Sequence, residues 1–279
     1  MHKRRDVLFH IYMGLFLLYL LVPLVIMGGA AFNDNRLPSV YPWKGWTDRW
    51  FIALWNDERM WIAFRNTILV ALAVAAIAVP IGTAAAILIN SITGKVRATL
   101  YGIMVAPVLA PGAVIGISTL LFWNQFGKAL NSDFVLFNPG LHLSVLGQVS
   151  YIAAFVMLLV LARLQSFDQG LEEAALDLGA THAQTMRRIL LPHLYPAIGA
   201  GAAIAFFQSI ENFNVTLFTR GTQDTLTVYV FSKVRSGITP TINALAVILI
   251  AVTLIGTLTY EILRRRRQAR EAAMERAED

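Results

Sequence analysis

The chain has 279 residues, of which 57% are hydrophobic and only 14% charged, with a mean hydropathy of +0.60 and a formal net charge of +6. Soluble domains carry nearer a quarter charged residues, so the composition is that of an integral membrane protein. The basic residues sit in short tracts beside apolar runs, which argues against nucleic-acid binding, and the lack of cysteine excludes disulfides, thiolate nucleophiles and thiolate metal sites.

Six apolar runs approach the roughly 20 helical residues needed to cross the hydrocarbon core. They lie at 7–32, 66–89, 100–123, 143–161, 195–210 and 242–263. The first follows Lys3, Arg4 and Arg5 and ends in small residues, Gly28 to Ala31, as a signal peptide would. Its apolar stretch is too long for one, so it is expected to stay as a span. The loop after it holds "YPWKGWTDRWFIALWNDERMW". Tryptophan favours the membrane interface, and the same loop is also suited to touching a delivering protein. Pro23 punctuates the first span, Pro80 the second, and Pro107 and Pro111 the third, which Pro111 with Gly112 and Gly116 should loosen most.

Between the fourth and fifth spans lies the most polar long segment of the middle of the chain, "EEAALDLGATHAQTMRRILLP", residues 172–192. Leu171, Ala174, Ala175 and Leu178 recur at helical spacing, with Glu172, Glu173 and Asp177 off that face, so a short amphipathic helix is expected. Gly179 is placed to end it. Thr181 and Gln184 read as a capping box opening a second helix through Met186, Ile189 and Leu190, which Pro192 is expected to break. An acidic helix with an alanine-rich face suits packing against a protein better than lying on anionic lipid.

The fifth span closes on Gln208, Glu211, Asn212 and Asn214. An ionisable group at membrane depth is costly, so Glu211 is expected to face a path or a partner, the bland alternative being a solvated residue at the outer interface. With the N-terminus inside, the cytoplasmic segments hold 14 of the 23 Lys and Arg, including the tracts at both chain ends. Both termini, and the 172–192 segment, are then cytoplasmic.

The motif Glu173-Ala174-Ala175, Gly179, Ile189, Leu191, Pro192 reproduces the E-A-A-x3-G-x9-I-x-L-P signature of permease subunits of binding-protein-dependent ATP-binding-cassette importers. The chain resembles that family. "NTILVALAVAAIAVPIGTAAA", "APVLAPG" and "SGITPTINALAVILI" look like its spermidine and putrescine branch, over most of residues 66–263. The resemblance implies an all-α integral membrane fold with six transmembrane helices, of the type I importer permease kind, in the bacterial inner membrane. It implies a first helix and outer loop over 1–65, a core over 66–263 with the coupling loop at 164–194, and a cytoplasmic tail over 264–279. Glu172, Glu173, Ala174, Ala175, Gly179, Ala180, Ile189, Leu191 and Pro192 would form the part that docks on a separate ATP-binding subunit. Further implied partners are a second, related permease and a periplasmic or extracellular solute-binding protein, besides the lipid bilayer.

No catalytic or metal site is expected, and no cofactor in this chain, because no G-x4-G-K-[ST] phosphate loop occurs; ATP and magnesium would be held by the partner. The branch implies a polyamine or similar amine as cargo, although "IENFN" offers one acid where the branch has a pair. Organophosphonates, opines, amino acids and ferric chelates are the alternative cargoes. Outside this class, a gradient-driven transporter would show repeated halves and more intramembrane charge. An intramembrane enzyme would need convergent polar groups, and the five histidines are scattered.

Overall fold

A computed structural model describes the backbone of residues 2–237 and 239–278, and the side chains of 8–168, 170–237, 239–266 and 268. The side chains of the terminal basic residues Lys3, Arg4, Arg5, Arg267, Arg270 and Arg276 therefore lie outside the described ones. Among the described residues the chain is helical, its one extended pairing being an isolated bridge between Asn33 and Trp46. That follows from the composition: in hydrocarbon each backbone N–H and C=O must be paired within its own segment, and a helix does this.

Two compact units divide the chain, one joining the residues up to Glu58 to those from Val230 onward, the other spanning Arg59–Tyr229. In the first unit α1 (His2–Phe32) packs on the last helix, α12 (Pro240–Glu278), which also meets α2 (Arg49–Trp55). The outer loop between α1 and α2 is built around fully buried Asn33. Its side-chain amide donates to the carbonyls of Ser39 (2.8 Å) and Pro42 (3.0 Å), and its side-chain oxygen accepts from the Lys44 N–H at 2.8 Å. Trp50 turns its indole N–H to the Asn33 carbonyl (3.0 Å), whereas Trp46 and Trp55 are exposed.

The second unit contains α3 (Glu58–Ser91), α4 (Gly94–Leu109), α5 (Gly112–Ala129), α6 (Leu141–Leu164), α7 (Gln169–Asp177), α8 (His182–Thr185), α9 (Leu191–Ile210) and α10 (Asn214–Thr219), and the start of α11 (Leu226–Ser236). Its core is a single apolar cluster contributed by α3, α6 and α9, including Val74, Ile89, Ile152, Met157 and Leu194. Small residues let these helices approach closely, as expected where lipid supplies no hydrophobic drive. A Cβ on Gly82 of α3 would stand 2.5 Å from the Ala153 carbonyl oxygen of α6.

Among the described residues, five helices are long and apolar enough to cross a membrane: Leu8–Phe32, Glu58–Ser91, Leu141–Leu164, His182–Ile210 and Pro240–Arg266. The expected third span is not one helix. It is broken into α4 and α5, bent by 105°. Helices run through Pro23, Pro80 and Pro107, whereas Pro111 sits at a break. The reason lies in its spacing from Pro107. One turn on, Pro111 has no N–H for the Pro107 carbonyl, which instead accepts from Ala110 at 3.3 Å. Ala110 and Pro111 both adopt extended ψ (138° and 133°), as the residue before proline prefers, and Gly112 restarts the helix.

Candidate functional site

The 172–192 segment folds as its sequence indicates up to a point. Asp168 caps α7 by accepting from the Gly170 N–H at 2.9 Å. At the other end the Ala180 N–H reaches the Ala175 carbonyl (3.0 Å) and the Gly179 N–H the Leu176 carbonyl (2.9 Å), the paired bonds of a Schellman turn. Gly179 takes φ +84°, which a side chain with a Cβ adopts only at a cost. The capping box closes as expected, Thr181 N–H to Gln184 Oε1 at 2.8 Å and Gln184 N–H to Thr181 Oγ1 at 3.3 Å.

Pro192, however, does not end the second helix. A π-helical turn over Met186–Leu190 joins α8 to α9, so one helix runs His182–Ile210 and Pro192 lies in its interior. Proline in an α-helix strands the carbonyl four residues back, and the wider turn just before it absorbs that mismatch. Ile189 on this turn and Leu191 just after it are half-buried, and Pro192 is exposed. On α7, Glu173 and Ala174 are exposed, while Glu172 and Ala175, like Ala180 beyond the turn, are half-buried. The apolar face is uncovered, with Leu171 52% and Leu178 89% exposed. The hairpin's two roots are tied together: Arg163 Nε donates to the His193 carbonyl at 3.2 Å, and the Phe167 and His193 rings lie 5.2 Å apart.

At the opposite end of α9, Gln208, Glu211, Asn212 and Asn214 all line one open cavity of about 460 Å³. Pro107, Ala110, Gly112 and Ile115, at the break between α4 and α5, form another wall, and Tyr151 and Phe155 of α6 with Phe213 supply aromatic surface. The helix break thus creates the space into which the fifth span's polar end opens. Among the described residues, the side chains of Gln208, Glu211 and Asn214 show no hydrogen bond or ion pair.

Asn212 differs from the other three. Its amide donates to the Tyr151 hydroxyl at 2.5 Å, and its side-chain oxygen accepts from the backbone N–H groups of Val215 (3.1 Å) and Thr216 (3.4 Å) at the start of α10. It therefore shapes the cavity wall more than it offers itself to a ligand. Behind it runs a buried polar ladder that the sequence reading left unassigned. Gln148, fully buried on α6, donates to Thr216 Oγ1 (2.9 Å) and accepts from Ser209 of α9 (2.6 Å). Ser144 and Thr219 share a hydrogen bond of 2.8 Å. Ser144, Gln148 and Tyr151 recur at helical spacing, which is the signal that marks them in the sequence.

Residues 78–269 match the family described as binding-protein-dependent transport system inner membrane component. Among curated proteins, the chain is 32% identical to the putrescine transport system permease protein PotI of Escherichia coli strain K12, over 93% of this chain and 92% of that protein. It is 28% identical to the spermidine/putrescine transport system permease protein PotC of Haemophilus influenzae, over 89% and 93% of the two chains. Among solved structures it is similar to a chain of a bacterial ABC transporter involved in the import of the acidic polysaccharide alginate, with a TM-score of 0.75 and 21% identity over 94% of this chain and 96% of that one. An amino acid ABC transporter chain matches with a TM-score of 0.54 and 20% identity, over 79% and 99%. At such identities the structural likeness speaks for the fold.

Proposed function

The chain belongs to the family of binding-protein-dependent transport system inner membrane components, and on that premise we propose that its Glu211 cavity passes a small amine-bearing cation of the polyamine kind. The chain is an ABC importer permease subunit with the type I fold, and its curated relatives are transport permeases rather than enzymes. The family places it in an inner membrane as a multi-pass protein and implies partner subunits.

The observation that carries the cargo reading is Glu211 itself, a carboxylate with no ion-pair partner among the described residues, in a cavity with Gln208, Asn214 and the rings of Tyr151, Phe155 and Phe213. Glu211 and Asn214 are exposed in this open cavity; the carboxylate attracts an ammonium there, aromatic faces add to that attraction, and side-chain amides replace part of the lost hydration. The relatives' names, putrescine and spermidine permeases, agree with this chemistry.

In this reading the chain forms half of the path, with a second permease supplying the rest and a solute-binding protein delivering the cargo from outside the membrane. The Glu172 to Ala175 stretch of α7, with the uncovered Leu178 beyond it, docks on an ATP-binding subunit, and the Gly179 turn, Ala180 and the stretch Ile189 to Pro192 carry its movement into α9. ATP and magnesium belong to that subunit. The test is uptake of labelled putrescine by the reconstituted complex carrying Glu211→Gln. A fall of about tenfold, the equivalent of roughly 1.4 kcal/mol, with assembly intact, is expected. Unchanged or increased uptake defeats the path assignment, and a wild-type complex that carries no putrescine transfers the cargo to another solute such as an organophosphonate.

A further inference from the structure

A second cavity of the same unit has the opposite electrostatic character. It measures about 420 Å³ and lies between the first turns of α3, with Arg59, Ile62, Arg65 and Asn66, and the loop residues 222–224. The loop is held in place: Asn66 donates its amide to the Asp224 carbonyl at 2.9 Å, and the Leu226 N–H donates to Thr67 Oγ1 at 2.7 Å. Arg59, Arg65 and Asp224 are the charged residues of the lining, which is therefore net positive, and Asp224 is itself paired with Arg220. Arg65 has no hydrogen bond or ion pair among the described residues. Loop topology puts this end of α3 on the outer side, where lysine and arginine are normally sparse, so their gathering in one cavity calls for a ligand.

The surface below the arginines identifies that ligand. Ile62, Arg65, Leu69 and Leu72 fall at three- and four-residue spacing on one face of α3, with Ile62 42%, Leu69 55% and Leu72 54% exposed. At 34 residues α3 is about 51 Å long by the helical rise, well beyond the roughly 30 Å hydrocarbon core. The expected span at 66–89 leaves Arg65 at the headgroup boundary with the leucines beneath it. A basic, hydrogen-bonding cavity above an uncovered apolar stripe matches the two halves of one molecule. We infer that Arg59 and Arg65 hold the phosphate of an anionic phospholipid whose acyl chain lies along Leu69 and Leu72, with residues 222–224 around the headgroup.

The assembled transporter, purified in neutral detergent, is titrated with phosphatidylglycerol or phosphatidylcholine, and retained lipid is counted by native mass spectrometry alongside the thermal midpoint. Phosphatidylglycerol is expected to be retained and to raise the midpoint. Its affinity should fall roughly fivefold for each arginine removed in Arg65→Gln and in Arg59→Gln/Arg65→Gln. Arg65→Lys should retain most of the effect, and Lys128→Gln, a charge change elsewhere on the unit, all of it. Equal affinity in the double variant, an equal rise with phosphatidylcholine, or an equal rise with inorganic phosphate each overturns the lipid assignment. Loss of binding-protein-stimulated ATPase activity in the double variant with lipid retention unchanged overturns it too, and gives the cavity to an acidic surface of a protein partner.

Discussion

Asn212 and Tyr151, 61 residues apart in the chain, meet through a hydrogen bond of 2.5 Å from the asparagine amide to the phenol oxygen. The same asparagine accepts from the first turn of α10, and its carbonyl accepts from Thr227 Oγ1 at 3.2 Å. One side chain thereby fixes the end of α9, the wall of α6 and the start of α10.

Tyr151→Phe keeps the ring and deletes the hydroxyl, leaving one amide hydrogen of Asn212 without its acceptor. The expected cost is about 1 kcal/mol of stability, with uptake reduced less than by Glu211→Gln. Transport assays and thermal unfolding of the two variants side by side check the ordering; equal loss in both would make Tyr151 a contact for the cargo.

Gln148→Leu should be harder on the fold. It strips Ser209 and Thr216 of a shared partner in a fully buried position, a loss of about 2 kcal/mol that lowers the thermal midpoint by roughly 5 °C for a protein of this size. A midpoint within a degree of wild type would mean the ladder is not structural.

Gly116 of α5 faces the first turn of α10 so closely that a Cβ would stand 2.9 Å from the Val215 carbonyl oxygen. Backbone cannot move aside cheaply, so Gly116→Val should cost roughly 1–3 kcal/mol by overpacking and weaken uptake by shifting Asn214. Gly102, with nothing within 4 Å, is the control, and Gly102→Ala should be silent.

At Gly179 the argument is conformational, because no atom lies within 4 Å of a Cβ built there and φ is +84°. Gly179→Val should cost roughly 1–3 kcal/mol in the turn and reduce capture of the ATP-binding subunit while membrane insertion stays normal. Gly179→Asn, which tolerates that φ better, should keep most of the capture. Equal capture by all three forms would remove the turn from the docking surface.

Much of this was legible in residue spacing. The six apolar runs, the Gly179 turn and the Thr181–Gln184 box depend on local chemistry, and local chemistry is what a single sequence carries. Pro192 was misread because a proline reports a missing donor without saying whether a π turn precedes it. Pro111 was legible as a weak point, but the 105° bend depends on Pro107 one turn earlier, together with the packing of α5 on α10. Ser144, Gln148 and Tyr151 formed a visible polar stripe; their partners on α9, on α10 and in the turn between them are 61 to 75 residues away, a distance that helical spacing does not bridge. The same holds for Asn33, whose role rests on the fold of a loop with no periodic pattern.

The helix His182–Ile210 begins at the Thr181 cap and ends at Glu211, a run of 29 residues, or about 44 Å at the helical rise. The chain thus reaches from one membrane face to the other with a single stiff arm rather than two jointed pieces. Pivoted near one end, such an arm turns a tilt of about 5° into nearly 4 Å of travel at the other by its length alone. The π turn near its root is the place where such an arm can twist without parting. On the proposed roles, mechanical advantage between the Gly179 hairpin and the Glu211 cavity is set by where the shaft is gripped, and the hydrogen bond from Arg163 to the His193 carbonyl is one grip close to the hairpin.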